Sequence, residues 1–405
     1  MASTNDVKTN PDTFDKKPYL ADNAEVDIKQ GQMSGEGGLS EHQKGLEKKL
    51  LFKIDTLILP IIVVVYLLNY IDRNNYAAAR LQGLEEDLNL HGDQYQTGLS
   101  VFFVGYVLMQ VPSNALLNYS GRPSLYLGFW IVAWGLVSAL TCLVKSFAHI
   151  VVCRFILGFV EAPFFAGVLF YVSKWYTRSE LGFRMAIFYS GSLLSGAFGN
   201  LIAGGILRGL DGKQGLAAWQ WLYIIEGVVT IFVGFIVMLL LPDFPHTWKV
   251  LTPELRAVAI QRMALDANQD DVDEEGAKSH VQGVRQALTD PKTYILAIMY
   301  HCQTGSTGFS NFFPSLTQTL GFDRTTSLLL VAPPYIFAVI WAYGHSLYSD
   351  KVQNRFWFWV YPIPLAITGC LLFMFVPLFG VRYFAMFLMS FAFILSPTVS
   401  YVLCK

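Results

Sequence analysis

The stretch LFKIDTLILPIIVVVYLLNYIDRNNYAAAR, Leu51 to Arg80, decides how the chain folds. From Leu57 to Leu68 it carries no charge, as a segment crossing lipid requires. Then Asn69, Asp72, Arg73, Asn74 and Asn75 arrive before the roughly 20 residues of a spanning helix are complete. Two readings are open. The helix ends near Tyr76, with Asp72 and Arg73 paired at the membrane edge and Arg73 snorkelling to water. Alternatively AAARLQGLEEDL, rich in helix formers, carries the helix on to about Leu84 and places Arg73 inside the protein. We take the second as the expectation.

The composition supports a membrane setting. The 405 residues are 53% hydrophobic, 15% aromatic and only 15% charged, against about 25% charged in a soluble domain. Mean hydropathy is +0.41. A net charge of -1 offers no basic surface for nucleic acid. The five cysteines are odd in number, and Cys142, Cys153, Cys302 and Cys370 lie in apolar runs without paired spacing, so neither a disulfide framework nor a zinc site is indicated. Residues 1–50 are polar and rich in Lys, Asp, Gly and Ser, with no cleavable signal, and read as a disordered cytoplasmic tail.

Ten segments are apolar and long enough to cross: 54–76, 97–117, 124–144, 148–171, 185–207, 221–241, 292–314, 326–347, 356–378 and 382–403. Short polar turns such as SGRPS, KSFAH and GFDR join most of them. Residues 242–291 differ, beginning with LPDFPHTW. There Thr252-Pro253-Glu254 supplies an N-cap, a first-turn Pro and a first-turn acid for the amphipathic LRAVAIQRMAL. This segment reads as a cytoplasmic linker between an N-terminal six-helix half, 51–241, and a second set of spans, 292–405. Lysines 44, 48, 49 and 53 before the first span, with Lys174, Arg178, Arg184, Lys351 and Arg355 in alternate loops, put the N-terminus in the cytoplasm. Six spans, a long inside linker and further spans are the layout of a two-halved transporter with internal repeats. Only four spans follow the linker, so a chain truncated after span ten is expected.

The segments LNYIDRNNYAAARLQGLEEDLNL, VPSNALL, CRFILGFVEAPFFAGVLFYVSKWYTRSELGFRMAIF and WQWLYIIEG, with FFPSLTQTLGF, VAPPYIFA and LYSDKVQNR, resemble the major facilitator superfamily. Within it they are most similar to the fungal anion:cation symporter family of allantoate, nicotinate and pantothenate permeases, nicotinate-type permeases above all. The resemblance runs from about Leu46 to Tyr401. It implies an all-α membrane protein of major facilitator fold, with an incomplete C-terminal half: ten spans visible and twelve expected. It also implies proton-coupled uptake of a small organic anion by alternating access. Two departures matter. The loop after span two, NYSGRPS, keeps Arg122 but lacks the family's acid, and GSLLSGAFGNLIAGG in span five lacks the Pro of drug antiporters. The other reading, suggested by the VLCK ending, is a transport-deficient membrane sensor or a non-functional fragment.

Charges inside spans are costly and usually face a cavity or a partner. An organic-anion carrier needs a fixed cation near midplane, and Arg, always charged and bidentate, suits it. The resemblance favours Arg73 in span one and an Arg at the position of Arg154. Substrate-binding candidates are Arg73, Arg154, Asn69, Gln303, Ser306, Asn311 and Tyr335. Arg154 and Glu161 are seven residues apart on one face of span four, roughly 10 Å along the axis. Glu161 is the first candidate to carry a proton, with Asp72 beside it. Span seven, HCQTGSTGFSNFFP, is unusually polar, and Gly305, Gly308 and Pro314 loosen its helix. Asp350, Lys351 and Arg355 form the candidate gating loop on the cytoplasmic side. Glu226 reads as structural, and Trp219 and Trp221 as anchors at the membrane interface. No nucleophile–base pair, phosphate loop or metal-ligand cluster stands out, so neither an enzyme nor a cofactor is indicated. The expected partners are the anion, protons and the bilayer, for a monomeric multi-pass protein of the plasma membrane.

Overall fold

The computed structural model describes residues 41–248, 250–271, 289–308, 312–352 and 355–391. The expected tail, 1–40, and the end of span ten lie outside the described residues. The chain divides into two compact units, 1–45 and 46–405. Of the first, residues 41–45 are described; they are helical, with Lys44 Nζ 2.7 Å from Glu41 Oε1.

Every regular element among the described residues is helical. Helix α1 spans Glu41–Ala79. It runs on through a π turn, Arg80–Leu84, into Glu85–Asp87. The first span therefore does not stop at Tyr76. Gly83, at φ 100°, absorbs the local break, and Arg80 Nε lies 2.9 Å from Glu85 Oε2. Then come α2 (Gln94–Ser120), α3 (Pro123–Leu140), α4 (Phe147–Ser173), α5 (Arg178–Leu210) and α6 (Ala218–Leu240). Gly121 in the left-handed region ends α2, and Pro123 at the first position starts α3. The polar segment gives α7 (Pro253–Asp271), where Thr252 Oγ1 accepts from Leu255 N at 3.5 Å. Beyond it lie α8 (Pro291–Thr307), α9 (Phe313–Gln318), α10 (Arg324–Val352), α11 (Arg355–Val360), α12 (Pro362–Phe375) and α13 (Phe379–Met389). Asp323 starts α10 by accepting from Thr326 N at 3.1 Å, and its bonds to Thr326 hold its carboxyl below the usual range.

Six of these helices are long and apolar enough to cross a membrane: Glu41–Asp87, Pro123–Leu143, Phe147–Ser173, Ile187–Leu210, Ala218–Leu240 and Arg324–Ala342. Helices α12 and α13 are apolar but shorter. Within the expected span seven the described helices are α8, which runs to Thr307, and α9, which begins at Phe313. Large apolar side chains such as Phe103, Leu108, Phe232 and Leu239 lie exposed on the outer faces, as lipid contact demands.

Glycines set the closest packing. Helix α2 lies on α4, and a Cβ at Gly158 would stand 2.0 Å from the Phe102 carbonyl oxygen. Helix α3 lies on α6, where a Cβ at Gly227 would stand 2.7 Å from the Gly135 carbonyl oxygen. Such close approach is how helices associate without a hydrophobic drive between them. Gly158→Val therefore forces two backbones apart, a cost of about 3 kcal/mol or more against a total stability of roughly 5–15 kcal/mol. Size-exclusion chromatography in detergent is expected to show loss of the monodisperse peak. Across the linker, α5 packs on α10, with Gly196 against the Tyr335 ring and Gly204 against Leu328 and Leu329.

Candidate functional site

The polar stretch of α1 turns inward, and each of its residues meets a different neighbour. Arg73 Nε donates to Glu161 Oε1 on α4, in a short ion pair whose carboxylate is fully buried. The Arg73 guanidinium also stands over three rings: Tyr106 at 4.7 Å, Tyr70 at 5.1 Å and Phe102 at 5.4 Å. Cation–π contacts of this kind contribute about 2 kcal/mol each when desolvated. Asp72 does not pair with Arg73. Its Oδ1 accepts from Ser138 Oγ on α3. Asn74 Nδ2 donates to Ser195 Oγ on α5 at 3.3 Å, and Asn75 Nδ2 donates to Glu226 Oε2 on α6. About one turn of helix, Asp72 to Asn75, thus reaches α3, α4, α5 and α6 together.

Arg154 is 2% exposed, with its guanidinium 4.4 Å from the Tyr76 ring and 5.1 Å from the Phe102 ring. Phe102 therefore touches both guanidinium groups, the buried Arg154 and the partly exposed Arg73. No carboxylate among the described residues forms an ion pair with Arg154, and its Nε and Nη1 have no hydrogen-bond partner. Its charge acts on Asp72 and on Glu161 through space. Further buried polar atoms without a partner gather around α1: both amide atoms of Asn69, Asp72 Oδ2, Glu161 Oε2, Trp134 Nε1, Tyr223 Oη and Glu226 Oε1. Leaving one such group unpaired costs about 1–3 kcal/mol, so each of these atoms calls for a proton, a water or a ligand to meet it.

The candidates from the sequence fall into three groups. Arg73, Glu161, Asp72, Arg154 and Asn69 are all at this buried centre. Tyr335 is buried where α10 meets α5, its ring against Gly196, the neighbour of the Ser195 that Asn74 reaches, and 5.6 Å from the Phe313 ring. Gln303 and Ser306 lie on α8, Asp350 and Lys351 in the last turn of α10, and Arg355 opens α11; these side chains, and Asn311 altogether, lie outside the described residues. His301, also in the polar run of span seven, is exposed.

The pairing of Arg73 with Glu161 is not visible in the sequence, which assigns the two separately. Ser138, Asn75 and Glu226 are also missed as members of the centre. Glu226 leaves a trace, since it is the sole charge in the apolar α6 and so requires a partner. Trp219 is not an interface anchor: it is buried and donates Nε1 to Asp87 Oδ2 at 2.6 Å, because α6 begins beneath the turn that closes α1.

The chain matches the Major Facilitator Superfamily profile over residues 62–405. It is 34% identical to the MFS-type transporter cnsO of Penicillium expansum, over 88% of this chain and 72% of that one. It is 32% identical to the major facilitator-type transporter hxnP of Emericella nidulans, over 85% of this chain and 70% of that one. Among solved structures, a bacterial homologue of the human lysosomal transporter Spinster, inward-facing and unoccupied, superposes with a TM-score of 0.64. That alignment covers 91% of this chain and 76% of the other, at 16% identity. The proton:xylose symporter XylE bound to 6-bromo-6-deoxy-D-glucose gives a TM-score of 0.62 at 13% identity, covering 87% and 82%. These last two likenesses establish the fold. The chain belongs to the major facilitator superfamily, and it is a multi-pass membrane transporter with the helical fold of that family.

Proposed function

We propose that the protein is a secondary active transporter that takes up a small organic anion together with a proton, by alternating access. The observation that carries this is the buried Arg73–Glu161 pair. A guanidinium already neutralised by a carboxylate does not attract an anion. When Glu161 takes up a proton, its hold on Arg73 weakens, and the planar fork is released for a substrate carboxylate. Proton and anion then occupy the centre together, and loss of the proton to the other side restores the internal pair and expels the substrate. Arg154, with two open donors behind Phe102, keeps a second positive charge at the centre. The substrate class follows from the resemblance to allantoate, nicotinate and pantothenate permeases, nicotinate first. The orientation with the N-terminus in the cytoplasm and a place in the plasma membrane belong to the same reading. So does the division into a tail 1–50, a six-helix half 51–241, a linker 242–291 and a second set of spans from 292.

The test is uptake of labelled nicotinate, allantoate and pantothenate into proteoliposomes. Accumulation is expected only with an inward proton gradient and is lost when an ionophore collapses it. Glu161→Gln, which cannot exchange the proton, is expected to lose accumulation while retaining exchange of labelled for unlabelled substrate. Equal accumulation with and without the gradient by the unaltered protein would sink proton coupling.

A further inference from the structure

The centre holds more negative than positive charge. Three carboxylates, Asp72, Glu161 and Glu226, are 2%, 0% and 5% exposed. Two guanidiniums face them, Arg73 and Arg154. One negative charge is left over. An unpaired charge at this depth is relieved by a partner, by water or by a proton.

Glu226 is the group with no cation at hand. Among the described residues it forms no ion pair; its one hydrogen bond comes from the neutral Asn75 amide, and its Oε1 has none. Helix α6 carries no other charge, and α3, packed on it at Gly227, carries none at all. On α5, Arg208 is exposed in the last turn. The charged group that acts on Glu226 is Asp72, of the same sign. Asp72 also acts on Glu161, so it stands electrostatically between the other two. The positive end of α6 gives no relief, because Glu226 lies about 12 Å along the axis, beyond the first turn to which that effect is confined. Asn75, 1% exposed, on one side and the α3 backbone packed at Gly227 on the other close Glu226 off from bulk solvent.

We propose that Glu226 is a second proton-binding site, holding one resident proton that makes the buried centre neutral. The consequence rests on the proton-coupled reading above. With Glu226 neutral, Asp72 and Glu161 balance Arg73 and Arg154, and the next proton, on Glu161, leaves one net positive charge. A single carboxylate of the cargo cancels it, so the loaded and the empty centre are both neutral when they reorient.

The proton is read directly by infrared difference spectroscopy of the purified protein without substrate. At neutral pH the unaltered protein is expected to show a protonated-carboxyl C=O stretch that disappears in Glu226→Gln and persists in Glu161→Gln and Asp72→Asn. Asn75→Ala, which leaves Glu226 in place but removes its donor, shifts the band. Absence of the band, its survival in Glu226→Gln, or its indifference to Asn75→Ala would each overturn the assignment. The measurement needs no transport, so a failure of the uptake reading in proteoliposomes is separate from a failure here.

Discussion

Arg73→Ala is expected to abolish uptake, and Arg73→Ala combined with Glu161→Gln is expected to restore the folded protein without restoring transport. Glu161 is fully buried and has Arg73 as its only ion-pair partner among the described residues. Removing one partner of a buried pair leaves an uncompensated charge, a loss of about 3–5 kcal/mol. At 1.4 kcal/mol per tenfold change, that is roughly two orders of magnitude or more in the folded population. The single variant is therefore expected to express poorly, and its lack of uptake is uninformative alone. In the double variant neither charge remains, and Gln fits the space of Glu. Its thermal unfolding midpoint in detergent is expected to return to within a few degrees of the unaltered protein. Exchange of labelled for unlabelled substrate, which Glu161→Gln alone retains, is expected to fall at least about a hundredfold in the double variant, the same energetic scale now read on an anion that has lost its guanidinium. A stable double variant that still exchanges substrate would remove Arg73 from the binding site.

What the sequence discloses follows from how far each signal travels along the chain. Helices α1 to α6 were legible because bilayer thickness fixes their length and their long apolar runs carry few charges. The continuation of α1 past Tyr76 was legible in AAARLQGL, whose propensity outweighs the hydropathy drop at Asp72. The start of α7 was legible in Thr252, Pro253 and Glu254. These are local effects. The partners were not legible, because Arg73 finds Glu161 across 88 residues and Asn75 finds Glu226 across 151. Sequence placed Asp72 and Arg73 next to each other and invited a pair; successive helical positions instead diverge around the axis, and each side chain reaches a different helix. Span nine reads as a single crossing, whereas α11 and α12 part at Tyr361, because hydropathy averages over such a local break.

The second large effect is expected at Arg262, on the linker helix α7, where Arg262→Ala frees that helix from the bundle. The side chain is 2% exposed and has three partners. Its Nη2 donates to Glu180 Oε2 at 2.6 Å and to the Trp175 carbonyl at 2.9 Å, and its Nη1 lies 3.4 Å from Glu47 Oε1. Glu180 is in the first turn of α5, where its Oε2 also accepts from Thr177 N at 3.2 Å. One guanidinium thus joins α7 to the starts of α1 and α5 and to the turn after α4. Truncation strands two partly buried carboxylates and a carbonyl, at a cost of about 3–5 kcal/mol by comparison with other broken buried pairs. Because α7 buries few apolar groups of its own, chiefly Val258 and Ala259 with Leu251 just before them, the loss falls on its local opening rather than on the whole fold. Amide exchange within α7 is expected to accelerate by on the order of a hundredfold or more, with α3 and α6 unchanged. Arg262→Lys is expected to fall between, since a point charge cannot hold the planar fork's several contacts. Unchanged protection of α7 in Arg262→Ala would mean that its apolar contacts alone hold it. If exchange rises as expected, Arg262 is the principal polar tie of α7 to the N-terminal helices, added to the apolar contacts of Leu251, Val258 and Ala259.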